Sequence, residues 1–204
     1  YRGKFMKSEN ELNVAQKDFD DFVKKGGSTN YISVVRACKS IRFHLMSNAD
    51  GALKSAKKAR ELVDVEKVER DIICAEYLLG AAHLMKRNFV EAEEHLTEAL
   101  TRDRKINLVV FEPDILLEFA KLRFKQNHKK EALEFAEESL QIADRCEYRL
   151  KQADIHNFLA EFYLAADDFD KAKEHGEIAK ERTACGYKPA LAKAEKLLND
   201  IERR

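Results

Sequence analysis

Small residues recur at fixed positions along this chain, and their spacing constrains the fold more than any other feature. The interval between corresponding positions is 40 residues, and four units keep it without an insertion or deletion. One series of small residues is Gly80, Ala120 and Ala160, and another is Ala52, Ala92, Ala132 and Ala172. Because a small side chain lets two helices approach closely, the repeat predicts stacked pairs of antiparallel helices.

The composition also predicts an all-α protein. Among 204 residues there are only seven Gly and two Pro, whereas β-sandwiches and barrels need a turn about every dozen residues. Hydrophobic residues make up 45% and charged residues 36%, which is typical of a globular chain. Short polar breaks divide each unit into two helices, and they lie at 48–51, 86–88, 126–128 and 166–168. We therefore expect about ten helices.

The spacing resembles that of the tetratricopeptide repeat family. In that family a Leu-Gly pair on the first helix of a unit precedes, by twelve residues, an Ala on the second helix, and Leu79-Gly80 stands in this relation to Ala92. The chain differs from the family pattern in its period of 40 rather than about 34 residues, and it lacks the closing Pro. The resemblance implies a right-handed superhelical solenoid of antiparallel helix pairs, in a long-period variant.

The repeat register divides the chain into six segments. They are the second helix of a truncated N-terminal repeat (1–25), repeat 1 (29–64), repeat 2 (66–105), repeat 3 (112–145), repeat 4 (148–184) and a C-terminal capping helix (188–204). The last segment has one apolar stripe and otherwise charged residues, as expected of a helix that covers the end of a solenoid. Because the chain opens in the middle of a unit, we expect it to be part of a longer signalling or regulatory protein.

Charge and apolar patterning exclude several classes of partner. Lys and Arg together number 37, as do Asp and Glu, so no overall field attracts the chain to nucleic acid or to an anionic membrane surface. No apolar run approaches the roughly 18 residues of a membrane span, and no signal peptide opens the sequence. The four cysteines form no CxxC motif, so we interpret them as reduced core thiols of a cytoplasmic protein.

Motifs that would indicate catalysis, a cofactor or a metal are absent from the sequence. The GxGxxG and GxxxxGK[ST] phosphate-binding patterns do not occur, and neither does HExxH. Glu91 and His95 share a helix face, and we interpret them as a solvated pair rather than as metal ligands. His83 is interpreted as a buried histidine of the core. We therefore expect no metal, no cofactor and no enzymatic activity.

A partner-binding surface is predicted on the first helix of each unit, in the concave groove that the resemblance implies. Its residues lie beside the stripe that packs against the second helix. They are Ala37, Ile41, His44 and Leu45 in repeat 1, Cys74, Tyr77, Ala81, Leu84 and Met85 in repeat 2, Leu117, Lys121, Phe124 and Lys125 in repeat 3, and Asp154, Asn157 and Glu161 in repeat 4. The surface changes from apolar to charged, which suits a peptide or amphipathic helix with apolar anchors and charged flanks. The alternative is that its apolar residues are covered by neighbouring helices.

These observations favour a non-catalytic protein-interaction module that binds a peptide or an amphipathic helix. Two alternatives stay open. One is a structural array that packs on missing parts of its own protein or self-associates through the N-terminal half-repeat. The other is an enzyme with a site at the polar end of the groove, which would need four side chains to converge: Asp114, Lys121, Asp154 and Glu161. We expect these surface charges to stay hydrated, with ordinary pKa values.

Overall fold

The computed structural model describes residues 48–66 and 68–203 and scattered positions between 11 and 47. Its described segments form the α-helices α1 (Ala49–Glu66), α2 (Glu69–Met85), α3 (Phe89–Ile106), α4 (Glu112–Lys125), α5 (Lys129–Arg145), α6 (Arg149–Leu164), α7 (Phe169–Arg182) and α8 (Lys188–Glu202). A short 3-10 helix, Thr183–Cys185, precedes α8. No strand occurs among the described residues, and the predicted all-α class is confirmed. None of the described helices combines the length and the apolar character needed to cross a membrane.

The truncated N-terminal repeat (1–25) and the first helix of repeat 1 lie mostly outside the described residues. The described positions 11, 13–15, 17–18, 21 and 24 are helical, and so are 37–41 and 43. Two of the predicted partner-binding residues, His44 and Leu45, also lie outside the described residues. The structure therefore positions the predicted surface from Cys74 onward and at two earlier residues, Ala37 and Ile41.

The turn inside each helix pair repeats in the backbone. Its key residue has a positive φ, namely Ser47 (56°), Arg87 (62°), Asn127 (64°) and Asp167 (57°). The amide of the next residue bonds to the carbonyl five residues before it, as in Asn88 N to His83 O at 3.0 Å. A left-handed residue followed by this hydrogen bond satisfies the last carbonyls of a helix. The 40-residue period of the sequence is therefore also a period of the backbone.

The chain divides into two compact units, Tyr1–Phe111 and Glu112–Arg204, which we call unit 1 and unit 2. In unit 1, α2 packs against both α1 and α3. The α2 and α3 backbones approach closely at Gly80, where a Cβ atom would lie 2.6 Å from Leu96 Cγ. Leu96 and Ala92 of α3 are fully buried. The glycine is therefore required by the packing of this helix pair.

Unit 2 contains two helix pairs and a final helix. The α4 helix packs against α5, α6 packs against α7, and α8 contacts both α6 and α7. Ala194 and Leu197 of α8 are buried. A Cβ atom on Gly176 of α7 would lie 2.9 Å from Leu198 of α8, so small residues also set the approach of these two helices.

The small residues of the repeat lie in the interior, as predicted. Relative exposure is 1% or less for Ala52, Ala92, Ala120, Ala132, Ala160 and Ala172. Interiors are close-packed, so a larger side chain at any of these positions would have to displace a neighbouring helix or a core side chain. The small residues of the repeat are therefore interior residues of the described part of the chain.

Candidate partner-binding surface

The predicted surface of unit 1 is only partly accessible. Ala81 and Leu84 are each 2% exposed and belong to the interior. Ala37, Cys74 and Tyr77 are partly buried and pack against the core cluster around Leu78 and Leu79, and Met85 is also partly buried. Ile41 is 44% exposed. Of the predicted binding residues of unit 1 that the structure describes, the accessible ones are therefore Ile41 and the exposed parts of Ala37, Cys74, Tyr77 and Met85.

The predicted surface of unit 2, which we call the unit 2 face, lies on α4 and α6. Leu117 is 4% exposed and belongs to the core cluster of this unit. Lys121, Phe124 and Asp154 are partly buried, whereas Lys125 and Glu161 are exposed. This face therefore carries a partly buried apolar ring together with exposed side chains of both charges.

Asn157 has a structural contact instead of an open position. Its side chain is 1% exposed, and Nδ2 donates a hydrogen bond to Ala190 O at 2.9 Å. Ala190 lies in the first turn of α8, so this bond ties α8 to α6. The side chain of Asn157 is therefore engaged inside unit 2.

Charged side chains of α4 and α6 come together beside the N-terminal end of α8. Lys121 Nζ donates to Glu118 Oε1 at 2.6 Å, and Lys151 Nζ pairs with Asp114. Tyr187 OH donates to Asp154 Oδ2 at 2.9 Å. We call this group the polar cluster; its members are Asp114, Glu118, Lys121, Lys151, Asp154 and Tyr187.

Sequence reasoning found only half of the polar cluster. Glu118, Lys151 and Tyr187 were not among the predicted site residues. A local signal existed for the first, because Glu118 and Lys121 are three residues apart on one helix, a spacing at which opposite charges meet. No local signal pairs Tyr187 with Asp154, since 33 residues separate them.

Burial changes the protonation behaviour of the polar cluster. Burial raises the pKa of Asp114, although Lys151 opposes the shift. Burial also raises the pKa of Asp154 to about 6, against the charge of Lys121 and the hydrogen bond from Tyr187. For Lys121 burial favours the neutral form, but Glu118 and the two aspartates outweigh it and the pKa is raised. The pKa of Tyr187 is raised by burial and by Asp154.

The expectation of hydrated charges with ordinary pKa values is therefore wrong for Asp114, Lys121 and Asp154. Stacking of α4 on α6 removes water from these side chains, which isolated helices would leave exposed. Glu161 does not join them. It is exposed and accepts a hydrogen bond from Lys193 Nζ at 2.7 Å.

The histidines of α2 and α3 contact each other and a buried glutamate. His95 Nδ1 lies 2.7 Å from Glu76 Oε2, and the His83 and His95 rings stack with centroids 5.4 Å apart. His83 is 8% exposed, in agreement with its interpretation as a core histidine. The interpretation of His95 and Glu91 as a solvated pair is wrong, because packing of α2 on α3 supplies Glu76 as the partner of His95.

A second histidine pair lies between α6 and α7. His156 Nδ1 and His175 Nδ1 are 2.9 Å apart, so one ring donates a hydrogen bond to the other. Tyr163 stacks on His175 with ring centroids 5.4 Å apart. Within the described part of the chain, no three His, Cys, Asp or Glu side chains are grouped so that they could hold a metal ion.

A shallow open hollow adjoins the polar cluster. Its volume is about 630 Å³, and residues 148–151 and 186–187 line it. Two of its lining side chains, Lys151 and Tyr187, are also members of the polar cluster. Leu150 in the lining is 49% exposed. The hollow therefore offers an apolar surface next to buried charges.

Solved structures of helical-repeat proteins superpose on nearly the whole chain. A Rap protein in complex with the Competence and Sporulation Factor is 13% identical, with a TM-score of 0.73 over 98% of this chain and 63% of its own. A signal-transduction ATPase with a tetratricopeptide repeat sensor, from Pyrococcus horikoshii, is 18% identical, with a TM-score of 0.63 over 98% of this chain and 29% of its own. This chain thus spans less than two thirds of either protein.

A third similar structure is that of tetratricopeptide-like repeats of a kinesin light chain protein from Podospora anserina. It is 15% identical, with a TM-score of 0.55 over 82% of this chain and 84% of its own. No protein-family model and no curated protein matches the sequence. At these identities the likeness concerns the fold. The chain has the tetratricopeptide-like helical-repeat fold.

Proposed function

We propose that the chain is a non-catalytic protein-interaction module that binds a peptide or an amphipathic helix, with the unit 2 face as a contact surface. The observation that carries the proposal is the unit 2 face, where α4 and α6 present the partly buried ring of Phe124 and the exposed side chains of Lys125 and Glu161. The Rap protein of similar fold is complexed with the Competence and Sporulation Factor, which supports a binding role for such a fold. The proposed partner is a protein segment, with no role for nucleic acid or membrane.

The unit 2 face has the chemistry that peptide recognition requires. The Phe124 ring packs at 5.9 Å from Phe158 and 5.6 Å from Phe162, so it is held in one position by the core. A rigid, partly exposed aromatic ring can receive an apolar anchor of a partner at low entropic cost. The charges of Lys125 and Glu161 would then select the direction in which the partner binds.

The contacts inside the polar cluster favour binding over catalysis. A general acid, a general base or a nucleophile must reach a substrate atom within hydrogen-bond distance. The ammonium group of Lys121 is held by Glu118, and that of Lys151 by Asp114. The Lys151–Asp114 pair joins α6 to α4, the Lys121–Glu118 pair lies within α4, and we assign neither a reacting role.

Two further parts of the proposal rest on the sequence. We place the protein in the cytoplasm, because its cysteines lack disulfide spacing, and Cys38, Cys74 and Cys146 form no disulfide in the structure. Self-association through the N-terminal half-repeat (1–25) concerns residues mostly outside those described. Light scattering at several protein concentrations tests it: a mass that rises with concentration would favour self-association.

The test of partner binding is co-purification from the native host with two charge-exchanged variants. Lys125→Glu with Glu161→Lys alters the unit 2 face at constant net charge. Lys130→Glu with Glu134→Lys is the matched control on α5, where both side chains are exposed. We expect partners to be lost with the first variant and kept with the second, while circular dichroism shows both to be helical. The same partners on both variants would contradict the proposal.

A further inference from the structure

The hollow at the start of α6 is lined by two cationic side chains and by no carboxylate. Its lining residues are Tyr148, Arg149, Leu150, Lys151, Gly186 and Tyr187. Asp154 accepts a hydrogen bond from the Tyr187 hydroxyl, but it is not part of the lining. Lys121 also lies close enough to offset the charge of Asp154. The hollow therefore presents positive charge to a group that enters it.

The two cations of the lining differ in their contacts. Lys151 Nζ pairs with Asp114 and lies 5.5 Å from the centroid of the Tyr148 ring, so it is held inside unit 2. Arg149 is exposed, and within the part of the chain that the structure describes its side chain forms no ion pair and no hydrogen bond. The guanidinium of Arg149 is therefore the group of the lining that can bind an incoming anion.

The remainder of the lining is mainly apolar. It contains the rings of Tyr148 and Tyr187 and the half-exposed side chain of Leu150. Gly186 leaves open space, because a Cβ atom there would meet no atom within 4 Å. An ion pair gains strength where apolar groups reduce the water around it, and the same groups can pack against apolar side chains of a partner.

We propose that this hollow binds the side-chain carboxylate of a glutamate or aspartate residue of the peptide partner, with the guanidinium of Arg149 as its ion-pair partner. Leu150 and the tyrosine rings of the lining then pack against apolar residues on either side of the acidic residue. A guanidinium can donate two parallel hydrogen bonds to one carboxylate, which fixes the orientation of the bound residue. The inference deepens the proposed function and rests on it, because it names a residue type by which the partner is recognised.

A cationic residue and a free C-terminal carboxylate are the competing occupants of the hollow. A cation would lie beside Arg149 and Lys151, and like charges repel. The carboxylate of Asp114 is already paired with Lys151, and that of Asp154 is already bonded to Tyr187. Charge complementarity therefore favours an anion. Because the hollow is shallow and open, a peptide can continue on both sides of the bound residue, and this favours a side-chain carboxylate over a terminal one.

The test uses two peptides that differ only in the charge of one side chain. Acetyl-Leu-Glu-Leu-amide carries the carboxylate, and acetyl-Leu-Gln-Leu-amide replaces it with a neutral amide of the same shape. In two-dimensional NMR of the full chain at pH 7.5, we expect the glutamate peptide to cause saturable shifts at residues 148–151 and 186–187. The glutamine peptide should bind about two- to fivefold more weakly, as expected for one ion pair with an exposed arginine. Equal affinities, or tighter binding of acetyl-Leu-Lys-Leu-amide, would overturn the proposal.

Two variants separate Arg149 from general surface charge. Arg149→Gln should weaken binding of the glutamate peptide about two- to fivefold and leave binding of the glutamine peptide unchanged, because the arginine acts through the carboxylate. Arg145→Gln removes an exposed arginine from the last turn of α5 and should leave both affinities unchanged. Circular dichroism checks that both variants are folded. The assignment would be refuted if Arg149→Gln weakened both peptides equally, or if Arg145→Gln had the same effect as Arg149→Gln.

The wild-type protein offers two tests that need no variant. Raising the salt concentration from about 50 to about 500 mM should bring the affinities of the two peptides together, because an exposed ion pair is screened. A difference that salt leaves unchanged would contradict an ion pair with the exposed Arg149. The second test uses the glutamine peptide with a free C-terminal carboxylate in place of its amide. If this peptide bound at Arg149 as tightly as the glutamate peptide, the assignment to a side-chain carboxylate would be wrong.

Failure of this inference can be told from failure of the proposed function. If host partners are lost with the Lys125→Glu and Glu161→Lys variant while the glutamate and glutamine peptides bind equally, the interaction role stands and the acidic-residue site is refuted. If the glutamate peptide binds through Arg149 but the host partners do not depend on the unit 2 face, the site stands and the proposed function is refuted.

Discussion

Gly80 packs closely against Leu96. We therefore predict that Gly80→Ala destabilises the protein when residue 96 is leucine and stabilises it when residue 96 is alanine. A Cβ atom on Gly80 would lie 2.6 Å from Leu96 Cγ and 3.2 Å from Ala92 O. The corresponding positions one period later hold Ala120 and Ala136, so a larger residue on one helix goes with a smaller residue on the other. Gly80→Ala should therefore fit only when Leu96 is shortened.

The magnitudes follow from two opposing effects. Replacing a helical glycine with alanine favours the helix by about 1 kcal/mol. Overpacking a closed interior costs about 1–3 kcal/mol, so Gly80→Ala should destabilise the wild-type protein by about 1 kcal/mol. Leu96→Ala alone should cost about 2–5 kcal/mol, since Leu96 is fully buried. In that background Gly80→Ala should stabilise by about 0.5–1 kcal/mol, because the clash with the leucine is gone.

The assay is urea unfolding of the four proteins of this double-mutant cycle, followed by circular dichroism at 222 nm. A control cycle uses Leu78→Ala, which shortens a buried leucine of the same helix as Gly80. In the control cycle Gly80→Ala should destabilise to the same extent in both backgrounds. If Gly80→Ala destabilised equally with Leu96 and with Ala at that position, the close contact would not be the reason for the glycine.

Two more predictions concern the helix-pair turns and the second histidine pair. Arg87 has φ 62°, so Arg87→Gly should raise the free energy of unfolding by about 1 kcal/mol in urea titrations, whereas Lys86→Gly, at φ −81°, should lower it. Burial lowers the pKa of His156 to about 4, helped by His175, so unfolding takes up a proton and stability falls as the pH drops from about 6.5 to 4. The double substitution His156→Leu and His175→Phe introduces the residue types found at the corresponding positions of the preceding helix pair. It should reduce the change of melting temperature with pH over that range. An unchanged pH dependence would exclude this histidine pair as its cause.

Much of the fold follows from the sequence because its causes are local. The small residues that recur every 40 positions set how closely the two helices of a pair approach, and the polar breaks mark the turns. The helix predicted in the second half of repeat 3 ends where α5 ends, at Arg145. The turns themselves depend on a few hydrogen bonds between residues at most five apart, such as Asn88 N to His83 O.

The candidate site was predicted less completely, because exposure depends on which helices stack. Leu84 and Ala81 share a helix face with Tyr77 in the sequence, yet the first two are interior and the third is partly exposed. Helical periodicity gives the direction of a side chain, and burial depends on the neighbour that lies in that direction.

The sequence by itself determined the helix pairs, their period and the residues at which paired helices touch. Tertiary structure alone decided the burial, pairing and pKa shifts of the charged side chains. Asp154, for example, meets its hydrogen-bond donor Tyr187 only when the segment before α8 folds back on α6. Short-range backbone and steric preferences act within a few residues and are readable from the order of the chain. Desolvation and ion pairing depend on distances between segments that are far apart in that order, and folding is what establishes those distances.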